Sequence, residues 1–257
     1  VLAEPALLCA ALAGYVAAAV AAGITRSRRV FRRVSAASVA ASTAGLCLQL
    51  AFTASRAAEV GFLPFASRFE SMAFFALAVQ TVGLIIYLAA GQHSAKLGTD
   101  AASAFLLVGA LMRVGFHPSG DLNPILNSPW FAVHIVLAFA GYACFTAGFA
   151  WSVAALFDRQ SELHPSVARR LALAGLLLLG AGILTGAAWA DAAWGTWWGW
   201  DPKESWALLT WTLAMAGLHL RAFDRRRSAA FGFGLVVAAM MFTFIGINLL
   251  KWGLHRY

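Results

Sequence analysis

The chain has 257 residues, 61% of them hydrophobic and 12% charged, with a formal net charge of +8 at pH 7. That balance excludes an ordinary soluble domain and points to an integral membrane protein. The basic residues fall in short clusters between apolar runs rather than on one stripe, which excludes nucleic acid as a partner in favour of orientation in a lipid bilayer.

Eight apolar runs follow one another, at residues 3–24, 34–54, 69–90, 100–116, 130–157, 168–190, 203–223 and 228–250. Each is near the roughly 20 residues that cross a hydrocarbon core of about 30 Å. Each is expected to be a helix, because lipid offers the backbone no other hydrogen-bonding partner. The expected fold is an all-α polytopic membrane protein of about eight transmembrane helices, one integral-membrane domain over residues 1–257. The first run lacks a basic leader and a small-residue cleavage pattern, so it reads as a retained span. Cys9, Cys47 and Cys144 stand singly inside apolar runs, without C-x-x-C spacing, and are expected to be small core residues.

Charge sets the expected orientation. Arg26, Arg28, Arg29, Arg32 and Arg33 lie between runs one and two, Lys96 between three and four, Arg159, Arg169 and Arg170 between five and six, and Arg221, Arg225, Arg226 and Arg227 between seven and eight. The positive-inside rule makes that side cytoplasmic and both termini external. Removing the fourth run would split these clusters between two faces, so the even count stands. Outside are then the loops at 55–68 and 117–129, the segment between runs six and seven, and the C-terminal tail. Glu70, opening the third run, reads as a cap or an interfacial contact.

Topology sorts the six histidines. His93 and His164 fall in cytoplasmic loops and His117 in an external one, where solvation accounts for them. His134 follows Ser128-Pro129, an N-cap with proline at the first helical position, which places it near the outer surface. His255 lies in the external tail KWGLHRY. His219 lies eighteen residues beyond Asp201, about 27 Å along a helix, near the cytoplasmic edge of the hydrocarbon. An ionisable group there is a functional candidate, with a hydrogen bond to a neighbouring helix or snorkelling toward Arg221 as the structural alternative.

Between Trp194 and Trp206 the chain reads WGTWWGWDPKESW, with Trp194, Trp197, Trp198, Trp200 and Trp206 in thirteen residues. One or two tryptophans anchor a membrane interface; five form an aromatic platform suited to a flat ligand, of which haem is the leading candidate. His134 and His255 share its side of the membrane, and neutral imidazole is a common haem iron ligand. Asp201-Pro202-Lys203-Glu204 has the capping-box arrangement, with Asp201 in the N-cap role. No nucleophile with an adjacent base, phosphate loop or thiolate cluster is apparent, so any chemistry belongs to a cofactor.

WGTWWGWDPKESWALLTW resembles the WWD signature of haem-handling membrane proteins, and its continuation DPKESWALLTW is similar to the CcsA (ResC) branch of cytochrome c biogenesis system II. CcmC and CcmF share the WGxWWxWD core but differ after the aspartate. The resemblance extends to FLPFASRFES before the third run, NSPWFAVHIVLAFAGY around His134 and NLLKWGLHRY around His255, over roughly residues 60–257. It departs where many relatives carry a histidine in the loop before the third span and this chain has Phe62.

The resemblance implies that His134 and His255 are external axial ligands of haem iron and that His219 is the membrane-embedded ligand. Trp194, Trp197, Trp198, Trp200 and Asp201 would form the platform for haem b, held non-covalently in transit. It also implies a CcsB (ResB)-type membrane subunit, apocytochrome c with a C-x-x-C-H motif, and thiol-reducing accessory proteins as partners. Together with that subunit the chain would act as a holocytochrome c synthase of the haem lyase type, in the bacterial cytoplasmic membrane with the tryptophan face outside. The competing readings are haem delivery or ligation of the CcmC or CcmF kind, a bis-histidine electron-transfer cytochrome, and a transporter or assembly factor without a cofactor.

Overall fold

A computed structural model describes residues 3–24, 28–65, 67–90, 93–112, 124–157 and 165–250. Among them the order is α1 (Ala3–Ile24), α2 (Arg28–Val60), α3 (Arg68–Ala90), α4 (His93–Met112), a 3₁₀ turn Pro124–Leu126, α5 (Pro129–Phe157), α6 (Pro165–Trp194), α7 (Pro202–His219), a 3₁₀ turn Ala222–Asp224, α8 (Arg226–Met241), a π-helical turn Phe242–Gly246 and α9 (Ile247–Leu250). Five segments are long and apolar enough to span a membrane: Ala36–Val60, Arg68–Ala89, Pro129–Leu156, Pro165–Trp194 and Arg226–Gly246. The protein is therefore an all-helical, multi-pass membrane protein. The apolar stretch of α1, Pro5–Ala21, is shorter, while α4 carries Lys96 and Asp100 and α7 opens on Lys203 and Glu204.

Several boundaries differ from the sequence reading. Helix α2 starts at Arg28 and ends at Val60, so Arg28 to Arg33 lie in its first turns and only residues 61–67 connect it to α3. Helix α4 starts at His93 rather than 100, which moves His93 and Lys96 from a loop into the helix. Lys96 is tolerated there because Asp100, one turn on, faces it at 2.6 Å. Helix α7 stops at His219, four residues early, because Arg221 adopts a left-handed φ of 52° and the following turn buries Phe223 against Phe233 of α8, ring centroids 4.4 Å apart. Cys144 is buried as expected, but Cys9 and Cys47 lie on the outside. In lipid an apolar side chain is as well placed on the outer surface as in the core, so hydrophobicity did not separate the two.

The described residues form two compact units, within residues 1–120 and 121–257. In the first, helices α1 to α4 pack around a polar stripe on α2. Ser38, Ser42, Gln49 and Arg56 are all buried on one face of that helix, and they span eighteen residues, about 27 Å. Asp100 accepts from Ser42 Oγ at 2.7 Å and Gln80 Nε2 at 2.8 Å through Oδ1, and from Lys96 Nζ at 2.6 Å through Oδ2. Tyr15 donates its hydroxyl to Gln49 Oε1 at 2.6 Å, and Gln49 Nε2 donates to the Ala73 carbonyl at 2.7 Å. At the far end Arg56 Nε meets Glu70 Oε1 at 3.0 Å. Glu70 also accepts from the Ser67 amide and Ser67 Oγ from the Glu70 amide, a capping box that starts α3. Water-free surroundings make such groups costly unless paired, so the stripe fixes how these helices match one another.

The second unit is built on α5 against α6, with α8 on α5 and α7 between α6 and α8. The α5–α6 crossing is close: a Cβ at Gly141 would lie 2.9 Å from the backbone nitrogen of Leu179. Trp151 and Phe145 of α5 and Phe233 of α8 are fully buried in this core. The π-helical turn at Phe242–Gly246 interrupts the predicted continuous eighth span, and its first residue, Phe242, packs on Trp206 of α7 with ring centroids 4.2 Å apart.

Candidate functional site

The start of α5 and the end of α6 meet in the second unit around His134. As expected, α5 begins at Pro129, with the Ser128 carbonyl accepting the Ala132 amide at 3.2 Å. His134 sits one and a half turns in and is half-buried. Its Nδ1 lies 2.7 Å from the Gly182 carbonyl oxygen of α6. A carbonyl only accepts, so Nδ1 carries a proton, and in the neutral ring the lone pair is on Nε2. The same rule holds for His219, whose Nδ1 lies 3.0 Å from the Met215 carbonyl.

Beside His134 is a residue that sequence reasoning missed. Trp189, only 1% exposed, lies nearly parallel to the imidazole, 11° between planes and 6.3 Å between centroids. It contacts Trp194 edge-on at 4.9 Å and Phe131 at 5.0 Å, and its indole nitrogen donates to the Ile125 carbonyl at 2.9 Å. Gly182, Gly186 and Trp189 are spaced four and three residues apart, which sets them on one helical face. That spacing was available in the sequence; the histidine it faces, 48 residues upstream, was not.

From Gly195 the chain leaves helical geometry, with Gly195 at a φ of 76° that only glycine adopts without strain. Trp198 and Trp200 pack edge to face at 5.8 Å and 90°. Trp197 and Trp200 are 61% and 71% exposed. Trp206, by contrast, packs on Phe242 and does not join them. Trp200 is held at a φ of 55°, a left-handed conformation that crowds its Cβ at a cost of roughly 1–2 kcal/mol.

The expected capping box accounts for that strain. Asp201 Oδ1 accepts the Lys203 amide at 2.9 Å, while Glu204 Oε2 accepts the amides of Gly199 at 2.9 Å and Asp201 at 3.1 Å. One carboxylate thus pins the backbone on both sides of Trp200. Alanine at Glu204 is expected to lower stability by about 1 kcal/mol, a typical cap loss, and to let Trp200 relax. Thermal melting and tryptophan fluorescence of the E204A protein measure both effects; an unchanged spectrum would count against the pinning.

His219 ends α7, exposed and 18 residues beyond Asp201, so it lies about 27 Å from the tryptophan segment. The structure therefore brings His134, Trp194 and, through Trp194, the Trp197–Asp201 segment to one end of the unit and keeps His219 at the other. His255, His117 and His164 lie outside the described residues. No cluster of three or more metal-ligating side chains occurs among the described residues. An imidazole with a proton on Nδ1, linked through Trp189 and Trp194 to a segment bearing exposed indoles, is a donor type that haem iron accepts.

Residues 65–255 match the family described as "Cytochrome C assembly protein". Three similar proteins, each named "Cytochrome c biogenesis protein CcsA", come from Synechococcus sp. (strain WH7803), Parasynechococcus marenigrum (strain WH8102) and Prochlorococcus marinus (strain MIT 9303). The first is 31% identical, with 77% of this chain and 78% of the relative covered. The second is 32% identical, covering 77% and 79%, and the third 29%, covering 77% of each.

Proposed function

The chain belongs to the cytochrome c assembly family, with the CcsA proteins of cytochrome c biogenesis, and from that we propose that it carries haem to the outer face of the membrane and presents it there to apocytochrome c. The observation that carries this reading is the hydrogen bond from His134 Nδ1 to the Gly182 carbonyl, at 2.7 Å, next to the tryptophan segment. It supports the reading because a proton held on Nδ1 leaves Nε2 as the donor atom of the neutral ring.

In this reading eight spans place both termini and the tryptophan segment outside. His219, with a histidine from a CcsB (ResB)-type subunit, holds the cargo near the cytoplasmic edge. Outside, His134 and His255 ligate its iron and Trp194, Trp197, Trp198, Trp200 and Asp201 line it. The two thiols of a C-x-x-C-H segment then add across the vinyl groups of haem, each sulfur forming a carbon–sulfur bond while its proton goes to the neighbouring vinyl carbon. The motif's own histidine replaces one axial ligand. The chain contributes position rather than acid-base groups, converting a bimolecular encounter into a local one. Thiol-reducing accessory proteins keep the substrate cysteines reduced.

Co-production of this chain with a CcsB-type subunit and an apocytochrome c, in a bacterial strain lacking its own maturation system, tests the reading. Covalent, haem-stained cytochrome c that depends on this chain is expected; its absence in a membrane containing all three proteins would refute the assignment. In the same complex alanine at His219 is expected to reduce haem loading about tenfold before any apocytochrome is supplied, by removal of an iron ligand. Loading equal to the wild type would leave His219 a helix-end histidine bonded to Met215.

A further inference from the structure

We propose that Gly182, Gly186 and Trp189 of α6 form a ligand seat that decides which nitrogen of His134 meets the iron and how its ring is turned, with Trp189 as a positioning residue. The proposal rests on the haem-binding role given to His134 above. It adds three residues to that role, and it separates two kinds of tryptophan in the site.

The seat works through three constraints on one ring. First, the Gly182 carbonyl accepts from Nδ1 at 2.7 Å, which in the neutral ring leaves the lone pair on Nε2. Second, the Nδ1–Cε1 edge of the ring lies against bare backbone at Gly186. A Cβ there would come within 2.6 Å of Nδ1 and 2.8 Å of Cε1, distances that force the ring away. Third, Trp189 lies nearly parallel to the imidazole and offset from it, 11° between planes and 6.3 Å between centroids, so a buried indole borders the ring on the α6 side. That indole is itself tied down: Nε1 bonds the Ile125 carbonyl before α5, and its ring meets Trp194 edge-on. The start of α5, the end of α6 and the tryptophan segment therefore register on one side chain.

Two consequences follow for the ligand and its cargo. Trp189, 1% exposed and nearly parallel to the ring of His134, would steady the ligand rather than offer an open face to the cargo. Exposed Trp197 and Trp200 are the indoles available to the porphyrin. The acceptor on Nδ1 is a peptide carbonyl, weaker than a carboxylate, so it lends His134 only ordinary ligand strength. This suits a ligand that must later let its cargo go.

The experiment uses the full chain with its partner subunit and haem as the probe. Three variants, G186A, W189F and W189L, are compared with wild type and with H134A. The readouts are the low-spin iron signal in electron paramagnetic resonance, haem retention against a competing apoprotein, and nitrogen-15 resonances of labelled histidine in the haem-free chain. For G186A and W189L we expect retention about tenfold weaker, as for other outer-shell ligand partners. The low-spin signal should be restored by added imidazole, and the His134 resonances should shift without haem. W189F, which keeps a ring but loses the Ile125 bond, should fall between. Melting temperature separates these effects from unfolding. Wild-type spectra, retention and nitrogen resonances in both G186A and W189L, with the signal lost in H134A, would overturn the seat alone. An unchanged signal in H134A would overturn the haem role on which it rests.

Discussion

Alanine at both His134 and His255 is expected to abolish covalent cytochrome c formation and to remove the external haem signal, a loss of at least about a hundredfold. The reasoning is one of ligand count. Indoles supply area but no donor atom to iron, so without the two imidazoles the tryptophan segment can adsorb a porphyrin but cannot hold its iron. Single conservative changes among Trp194, Trp197, Trp198 and Trp200 are expected to weaken haem retention only a few-fold, because remaining rings keep most of the surface. Haem-stained gels and difference spectra of membranes with equal amounts of each variant measure the contrast. Normal maturation in H134A/H255A would end the ligand assignment, and a single tryptophan variant as damaging as that pair would shift the main role from ligation to stacking.

The second large effect falls on the first unit and is one of stability. Asp100 is fully buried and receives Ser42, Gln80 and Lys96. Alanine there leaves the Lys96 ammonium without its partner carboxylate in a site 2% exposed, and breaking a buried pair from one side costs about 3–5 kcal/mol. Against a typical total of about 5–15 kcal/mol, that is a large fraction. The D100A protein is expected to melt far below wild type in detergent and to accumulate poorly. The double variant K96M/D100L removes both charges and should recover much of the loss. Equal melting of D100A and wild type would mean that the pair contributes nothing, and equal instability of the double variant would put the effect in packing rather than charge. A fall in protein amount without a change in haem spectrum per molecule separates this unit's role from that of the site.

How far the fold could be read from sequence depended on what lipid makes visible. Helical runs are legible because backbone satisfaction and core thickness dictate their length, and the limits of α1, α3 and α5 agree with the runs at 3–24, 69–90 and 130–157 within a residue. The capping box at Asp201 was equally legible, since it is a local bargain among four consecutive residues. Lys96 was not. A charge between two apolar runs reads as a loop, and only its bonds to Asp100 one turn on and to the Ser38 carbonyl of α2 reveal why it is held inside α4. For the same reason α7 was extended past His219, because nothing local announces that burial of Phe223 will end the helix.

The site was half legible. The tryptophan segment and His134 stand out by composition and topology, and so could be named. Trp189 is a single tryptophan in an apolar run, where anchoring or core packing would explain it; its significance comes from lying parallel to a ring 55 residues upstream. Gly182 and Gly186 likewise look like ordinary small residues of a membrane helix. Their meaning lies in which ring edge they admit.

The most direct measurement of the central claim is the absorption and spin-resonance spectrum of the purified full chain, produced with its CcsB-type subunit, for wild type and for H134A with and without added imidazole. The account predicts a low-spin haem spectrum in wild type, loss of its external component in H134A, and return of that component when free imidazole fills the vacated ligand position. A wild-type protein without haem, or an H134A spectrum indistinguishable from wild type, would contradict it.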